Sequence, residues 1–395
     1  MTARRRGALH AVVLAGVAAT YAVAVYFLAQ TSVPSGLDLP AVDVEEAFGA
    51  AVVEEARDFE RVTRWLFVLG EVTVLAVLGF YAWFGPRLTR ESAAGRIGTG
   101  MLLGMLGLGI LWFAQVPVGL LDLWWQRRHD LVETGYAEWI LGSWLALGGE
   151  FLFICLALLI VMALAGRLRD RWWIVGGPVF VGLVALFAFV LPYLTPGLEP
   201  AGRALRSEAR VYAERQDTEP VPVDVESVRE VTSAPNAAAM GLGPTKRIVL
   251  WDSLLDGRFS DGEVSVVLAH EVGHHARNHI AKSIAWYALF AIPGAFVIAS
   301  LTKRRGGMAR PEAVPLGLFV LVALSLLALP LQNVITRHLE READWQALGA
   351  TEDPAAAEGL FERFAVTSLG DPSPPTWAYI LMDTHPTLAQ RVSMA

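Results

Sequence analysis

Long apolar runs, separated by short polar connections, occupy most of the chain. A helix needs roughly 20 residues to cross a hydrocarbon core of about 30 Å, and seven runs approach or exceed that length. The runs comprise residues 11–29, 65–84, 97–121, 139–165, 172–194, 280–301 and 314–335. This pattern predicts a predominantly α, multi-pass membrane protein with about seven transmembrane helices. Two long polar segments, one before the sixth run and one after the seventh, remain for a second domain.

The first apolar run admits two interpretations. Three arginines at positions 4–6 precede it, as basic residues precede the apolar part of a signal peptide. The run is longer than that part normally is, however, and Phe27-Leu28-Ala29 is a poor match to a small-x-small cleavage site. We expect a retained membrane anchor.

The overall composition agrees with a membrane protein. Hydrophobic residues make up 54% of the chain, charged residues only 18%, and the mean hydropathy is +0.45. A net charge of −7 and a pI near 5.7 exclude nucleic-acid binding, which would require a basic face. Cys155 is the only cysteine, so no disulfide forms within the chain.

The first polar segment contains local signals for two strands and a helix. Residues 221–228 and 246–251 favour β-strands and thus a small β-sheet. Ser260-Asp261-Gly262-Glu263 is a capping box, in which the serine hydroxyl and the glutamate carboxylate satisfy free amide groups at a helix start. Val264, Val267 and Leu268 follow at helical spacing, so a helix is predicted after Ser260.

The sequence His270-Glu271-Val272-Gly273-His274 lies about three turns into this predicted helix. Positions i and i+4 share a helix face, so His270 and His274 can bind one metal ion. Zinc lowers the pKa of a bound water from 15.7 to about 7, and Glu271 is placed to take its proton and deliver it to a leaving amine. The pattern predicts peptide hydrolysis with one Zn²⁺ per chain; the alternative is two surface histidines beside a chance glutamate. His275 and His279 do not share the face of His270, so we expect them to be solvated or to pack.

A catalytic zinc normally has three protein ligands, so a third must come from elsewhere in the chain. The sixth apolar run begins six residues after His274, and the seventh returns the chain to the same membrane face, which brings Glu340 close to the histidines. Glu340 and Asp344 share a helix face. We therefore predict Glu340 as the third ligand and Asp344 as the residue that orients a ligand imidazole. Glu342 and His338 are the alternative ligands.

Four ordered motifs resemble those of the zinc-dependent CAAX prenyl proteases, a type 1 integral-membrane family, and of their bacterial HtpX-like relatives. They are the His270 to His274 motif, Asn236-Ala237 followed by residues 246–250, Arg337-x-x-Glu340-x-x-Ala343-Asp344, and Thr384-His385-Pro386 with Arg391. The resemblance implies a gluzincin-type metalloprotease domain joined to a ring of seven membrane helices around a large wet chamber. It also implies that His385 and Arg391 stabilise the oxyanion, while Asn236, Ala237 and Ala238 hold the substrate backbone.

These features together predict four sections of chain. Residues 1–195 form a five-span membrane region, and residues 196–279 form the first part of the protease domain, with the metal-binding helix. Residues 280–335 form a transmembrane hairpin. Residues 336–395 form the second part of the protease domain, with the third ligand and the C-terminal motif.

The expected function is that of an integral-membrane zinc metalloendopeptidase, similar to the CAAX prenyl proteases. Its expected partners are the lipid bilayer and a peptide or protein substrate, either prenylated or membrane-embedded. An HtpX-like quality-control protease of membrane proteins is the first alternative. A non-catalytic, zinc-containing membrane scaffold is the second.

Basic residues in the short loops bear on orientation in the cell membrane. With a cytoplasmic N-terminus, thirteen would be cytoplasmic and five would lie on the opposite side. The thirteen are Arg4, Arg5, Arg6, Arg87, Arg90, Arg96, Arg167, Arg169, Arg171, Lys303, Arg304, Arg305 and Arg310, and the five are Arg57, Arg61, Arg64, Arg127 and Arg128. The positive-inside rule then predicts a zinc site outside the cytoplasm. The family resemblance implies a cytoplasmic site.

Overall fold

The structure is a computed structural model that describes residues 3–89 and 94–395, with side chains described from residue 15 onwards. Arg90 and the side chains of Arg4, Arg5 and Arg6, which contribute to the loop charge count, lie outside the described part.

The described chain contains α-helices and one four-stranded sheet. The helices are α1 (Ala3–Leu28), α2 (Val44–Phe48), α3 (Ala50–Phe84), α4 (Gly95–Arg128), α5 (Tyr136–Leu168), α6 (Trp173–Leu194), α7 (Arg203–Arg215), α8 (Asp261–Ala276), α9 (His279–Thr302), α10 (Val314–Thr351), α11 (Pro354–Thr367), α12 (Thr376–Leu381) and α13 (Leu388–Met394). The strands are β1 (Leu198–Pro200), β2 (Val223–Glu226), β3 (Ala237–Met240) and β4 (Arg247–Trp251).

Six helices in the described residues, α3, α4, α5, α6, α9 and α10, are long and apolar enough to cross a membrane. Helix α1 contributes a shorter apolar stretch, Ala15–Leu28. The predicted architecture, a predominantly helical multi-pass protein with about seven spans and a small sheet, is confirmed.

Two membrane helices extend well beyond the apolar runs that predicted them. Helix α3 begins at Ala50 rather than near residue 65, and α10 continues to Thr351 rather than ending near residue 335. Hydropathy marks only the part of a helix that contacts lipid, whereas the polar extensions pack against the second domain. The extension of α10 carries the predicted ligand Glu340 beyond the apolar run.

The sheet has the strand order β1-β2-β4-β3. Strands β2 and β4, which correspond to the two strands predicted from sequence, pair in parallel, and β1 and β3 add antiparallel on either side. Strand β3 is therefore an edge strand with one unpaired side. The turn after β3 requires Gly241, whose φ is +87°, because a Cβ there would lie 2.1 Å from the carbonyl oxygen of Thr245.

Helix α8 lies at the centre of the second domain. Leu268 and Ala269 are fully buried, and they belong to one core with Ile248 and Leu250 of β4. The predicted capping box is present: the Glu263 amide donates to Ser260 Oγ over 3.3 Å, and the Ser260 amide donates to a Glu263 carboxylate oxygen over 2.6 Å. The helix that carries the histidines is thus fixed at its start and along its length.

A buried ion pair joins the membrane helices to the C-terminal segment. Arg64 of α3 donates to Asp371 over 2.8 Å and to Glu60 over 2.7 Å, and the Arg64 and Asp371 side chains are 9% and 2% exposed. Loss of one partner of such a pair leaves an uncompensated buried charge, at a cost of about 3–5 kcal/mol. The pair holds the segment before α12 against the membrane region.

Candidate metal centre

Helices α8 and α10 approach each other closely at the predicted metal site. Gly273 lies between the two histidines in sequence, and a Cβ added to it would meet the Ala343 Cα at 3.4 Å and the Gln346 Cβ at 3.2 Å. Ala343 itself is fully buried. A small residue on each helix allows this spacing, and the short spacing lets a carboxylate of α10 reach the imidazoles of α8.

The side chains of three candidate ligands converge between these helices. The two Nε2 atoms of His270 and His274 are 3.0 Å apart, and the Glu340 carboxylate lies 3.3 Å from His270 Nε2 and 3.5 Å from His274 Nε2. Tetrahedral zinc with ligand distances of about 2.0–2.1 Å separates its ligand atoms by about 3.3 Å. The three separations therefore fit the ligand set of one zinc ion.

Glu340 has a further property that fits a metal ligand. Its side chain is 11% exposed, and within the described part of the chain its Oε2 accepts no well-directed hydrogen bond. A buried carboxylate oxygen without a hydrogen-bond donor is costly unless a cation compensates it. The donor set and this unsatisfied atom both suit a bound divalent cation.

Asp344 and Arg391 hold His270 from behind. Asp344 Oδ1 lies 2.8 Å from His270 Nδ1 and accepts from the Arg391 guanidinium over 2.6 Å. Burial alone would lower the pKa of His270, but the nearby Asp344 and Glu340 carboxylates outweigh burial and raise that pKa to about 10. The surroundings of this imidazole therefore strongly favour a bound cation.

The two alternative ligands face away from the convergence point. His338 Nε2 donates to the carbonyl oxygen of Ala29 over 3.1 Å. Glu342 lies against His279 and Lys282, at 3.1 and 3.2 Å. Among the candidates on α10, the structure brings Glu340 to both histidines.

His275 and His279 are both buried, so of the two expected alternatives, solvated or packed, the structure shows the packed one. His275 is 1% exposed; its Nε2 donates to the Arg247 carbonyl oxygen over 3.0 Å, and burial lowers its pKa to about 4. His279 is 3% exposed and its Nδ1 lies 2.9 Å from His274 Nδ1. Spacing along one helix could not reveal this contact, because Asn278 has a left-handed backbone, φ 54°, and separates α8 from α9.

Glu271 lies where two cavities meet. It is 7% exposed, and its carboxylate, His270 and His274 offer atoms within 4.8 Å of one another. One cavity of about 420 Å³ extends towards α11 and the C-terminal segment. The other, of about 510 Å³, extends towards α6 and α9. A substrate that spans both cavities would pass directly over Glu271.

The other predicted site residues surround the same cavities. Asn236 and Ala237 line both, and Ala238 lines the larger one, on the side of the edge strand β3. The His385 side chain is 53% exposed, with its Nε2 3.0 Å from Glu340 Oε2. Arg391 is only 10% exposed at its side chain; besides its bond to Asp344, it lies over the Phe361 ring at 4.3 Å.

Comparison with known proteins places this geometry in context. Residues 203–395 match peptidase family M48. The uncharacterized metalloprotease YhfN of Bacillus subtilis is 29% identical over 275 residues, 66% of this chain and 64% of that protein. CAAX prenyl protease 1 of Saccharomyces cerevisiae is 42% identical over 71 residues, 18% of this chain and 15% of that protein. A protease HtpX homolog of Kineococcus radiotolerans is 27% identical over 41% of this chain and 63% of that protein. The chain thus spans less than two thirds of each of these relatives.

A solved structure shares the fold along nearly the whole chain. The crystal structure of S. mikatae Ste24p superposes with a TM-score of 0.69 at 18% identity and covers 95% of this chain and 96% of that one. The likeness includes the membrane helices, beyond the residues that match the peptidase family.

We expect Asp344→Asn to weaken zinc binding about 10- to 100-fold, because an amide removes the charge that orients and polarises the His270 imidazole. Zinc affinity of the purified protein, measured by competition with a chromophoric chelator, checks this. Glu352→Gln, which neutralises an exposed carboxylate at the end of the same helix, is the control. Equal affinity in wild type and Asp344→Asn would contradict the role given to Asp344.

Proposed function

We propose that the chain is an integral-membrane zinc metalloendopeptidase of the gluzincin type. The match of residues 203–395 to peptidase family M48 supports this, as do the similarities to CAAX prenyl protease 1 and to the HtpX homolog. Its substrates are peptides and proteins that lie in or close to the bilayer.

One observation carries the proposal. His270 and His274 from α8 and Glu340 from α10 converge at separations of 3.0–3.5 Å, with Glu271 beside them between two cavities. A purely structural zinc site is closed by protein ligands, whereas a catalytic site keeps one position open. Here three candidate ligands lie next to open cavities and to the Glu271 carboxylate, as expected for a catalytic site.

The chain's own residues then have separate tasks. His270, His274 and Glu340 would hold a zinc ion, which would supply Lewis acidity to polarise a carbonyl and lower the pKa of a water. The Glu271 carboxylate takes the proton of the attacking water and delivers it to the nitrogen of the leaving amine. The attacking water forms a new C–O bond, which remains in the carboxylate product, and the scissile C–N bond breaks.

His385 and Arg391 differ in their access to substrate. The exposed His385 imidazole at the cavity wall can turn its Nε2 towards the oxygen of a reacting carbonyl and donate a hydrogen bond to it. Arg391 is buried against Asp344 and Phe361. We assign His385 to oxyanion stabilisation and Arg391 to positioning of His270 through Asp344.

The free edge of β3 and the larger cavity suit an extended substrate. Ala237, Ala238 and Ala239 carry side chains small enough for a second strand to lie alongside, where it would pair with the unpaired backbone groups of the edge. The larger cavity is walled by Val184 of α6 and by Ile284 and Tyr287 of α9. Apolar walls from membrane helices support substrates that approach from the bilayer.

We expect Glu271→Gln to keep stoichiometric zinc but to lose at least about 100-fold in peptide cleavage, because an amide cannot accept the proton of the attacking water. Mass-spectrometric detection of cleaved peptide, with metal content measured on the same preparation, checks this. Glu362→Gln, at an exposed carboxylate of α11, is the control. Undiminished cleavage by Glu271→Gln would contradict this mechanism.

Prenyl-protein processing and membrane-protein quality control are the two candidate roles, supported by the similarities to CAAX prenyl protease 1 and to the HtpX homolog. A matched pair of peptides, identical except for an isoprenyl group on one cysteine, separates them. We expect cleavage of the prenylated peptide to be at least about tenfold faster, because the apolar cavity beside α9 would bury the isoprenoid. Equal rates would favour quality control, and zinc binding without cleavage of any peptide would favour a scaffold.

We propose, from the loop charges, that the site lies outside the cytoplasm. With Cys155 replaced by Ala, a single cysteine can be placed at Glu230, in the protease domain, or at Arg304, in the loop between α9 and α10; both positions are exposed. We expect an impermeant thiol reagent to label Glu230→Cys and not Arg304→Cys in intact cells. The reverse labelling would place the site in the cytoplasm.

A further inference from the structure

We propose that His279 and Glu342 form a second buried relay that positions the zinc ligand His274, just as Asp344 positions His270. The proposal rests on the zinc site described above. It concerns two residues that belong neither to the ligand set nor to the catalytic groups.

The relay is continuous in space and crosses three helices. His274 Nδ1 at the end of α8 lies 2.9 Å from His279 Nδ1 at the start of α9, and His279 Nε2 lies 3.1 Å from a Glu342 carboxylate oxygen on α10. The two relay residues, His279 and Glu342, are 3% and 1% exposed. Water therefore does not compete for these hydrogen bonds, and the relay is held by the packing of the three helices.

The hydrogen-bond chemistry fixes one arrangement of protons in the zinc-binding state. A histidine that binds metal through Nε2 carries its proton on Nδ1. His274 Nδ1 then donates to His279 Nδ1, which leaves the His279 proton on Nε2, facing a carboxylate that can only accept. Each donor in the series meets an acceptor, and the lone pair of His274 Nε2 is directed towards His270 and Glu340.

Glu342 is itself fully engaged. Its Oε1 accepts from the backbone amide of Ser32 over 2.7 Å, and its Oε2 also lies 3.2 Å from the Lys282 ammonium. Lys282 supplies the charge that a buried carboxylate needs, as Arg391 does for Asp344. Each zinc histidine is thus supported by a carboxylate and a cation, directly for His270 and through one imidazole for His274.

The segment that follows α1 covers this relay from outside. The Gln30 carbonyl oxygen lies 3.4 Å from Lys282 Nζ, and Ser32 Oγ accepts from Gln346 Nε2 over 2.9 Å. Together with the Ser32 amide, these contacts tie residues 30–32 to α9 and α10. The first helix is thereby connected to the metal centre through the backbone that caps Glu342.

Zinc affinity of the purified full-length protein tests the relay. We expect His279→Ala to weaken zinc binding about 10- to 100-fold, because His274 Nδ1–H loses its buried acceptor. His279→Asn places an amide oxygen near the former Nδ1 and should restore most of the affinity. Glu342→Gln removes the carboxylate and should weaken binding by at least about tenfold, and this loss should be much smaller in the His279→Ala background, because Glu342 acts through His279.

The visible spectrum of the cobalt-substituted protein gives a readout of ligand geometry that does not depend on catalysis. We expect it to change in His279→Ala and Glu342→Gln and to match wild type in the control His338→Gln, which keeps a donor for the Ala29 carbonyl oxygen at the same membrane boundary. Unchanged affinity in folded His279→Ala, or equal losses in His279→Ala and His279→Asn with a normal spectrum, would overturn the relay. Wild-type protein that binds no zinc would instead overturn the proposed function on which the relay rests.

Discussion

The close approach of α8 and α10 at Gly273 and Ala343 is the constraint on which the metal centre depends. A glutamate side chain is short, so Glu340 reaches both imidazoles only if the two helix axes are near each other at this level. Any larger side chain at position 273 would press on Gln346 and the Ala343 backbone. The metal centre is therefore determined first by packing between small residues and only then by the chemistry of its ligands.

The same contact buries a dense group of charged side chains, and removing them from water costs free energy. Glu340, Glu342 and Asp344 lie within about one helical turn of each other on α10, and all three are buried. Their cost is offset in three directions: Arg391 comes from the C-terminal helix, Lys282 from α9, and the histidines from α8 and α9. Because these partners come from distant parts of the chain, the site also ties the membrane hairpin to the protease domain.

Much of the fold, and the convergence of the candidate ligand residues, could be predicted from sequence for physical reasons. The apolar runs gave the membrane helices because lipid imposes a minimum length, and the hairpin brought Glu340 back to the histidines because two antiparallel helices return the chain to one face. The early start of α3 could not be predicted, since its polar end is stabilised by contacts such as Arg64 with Asp371. The contact between His279 and His274 could not be predicted either, because Asn278 has a left-handed backbone that redirects the chain, and helical spacing no longer applies beyond it.

The order of these elements along the chain has a consequence for biosynthesis. His270, Glu271 and His274 are synthesised before α9, whereas Glu340 follows α9 and more than half of α10. A nascent chain therefore holds the histidines and the base for some time without the carboxylate that completes the proposed ligand set. The proposed hydrolytic activity would therefore require the α9–α10 hairpin to be in place, and the ribosome-bound protein would not expose its neighbours to a complete site before it has reached its membrane.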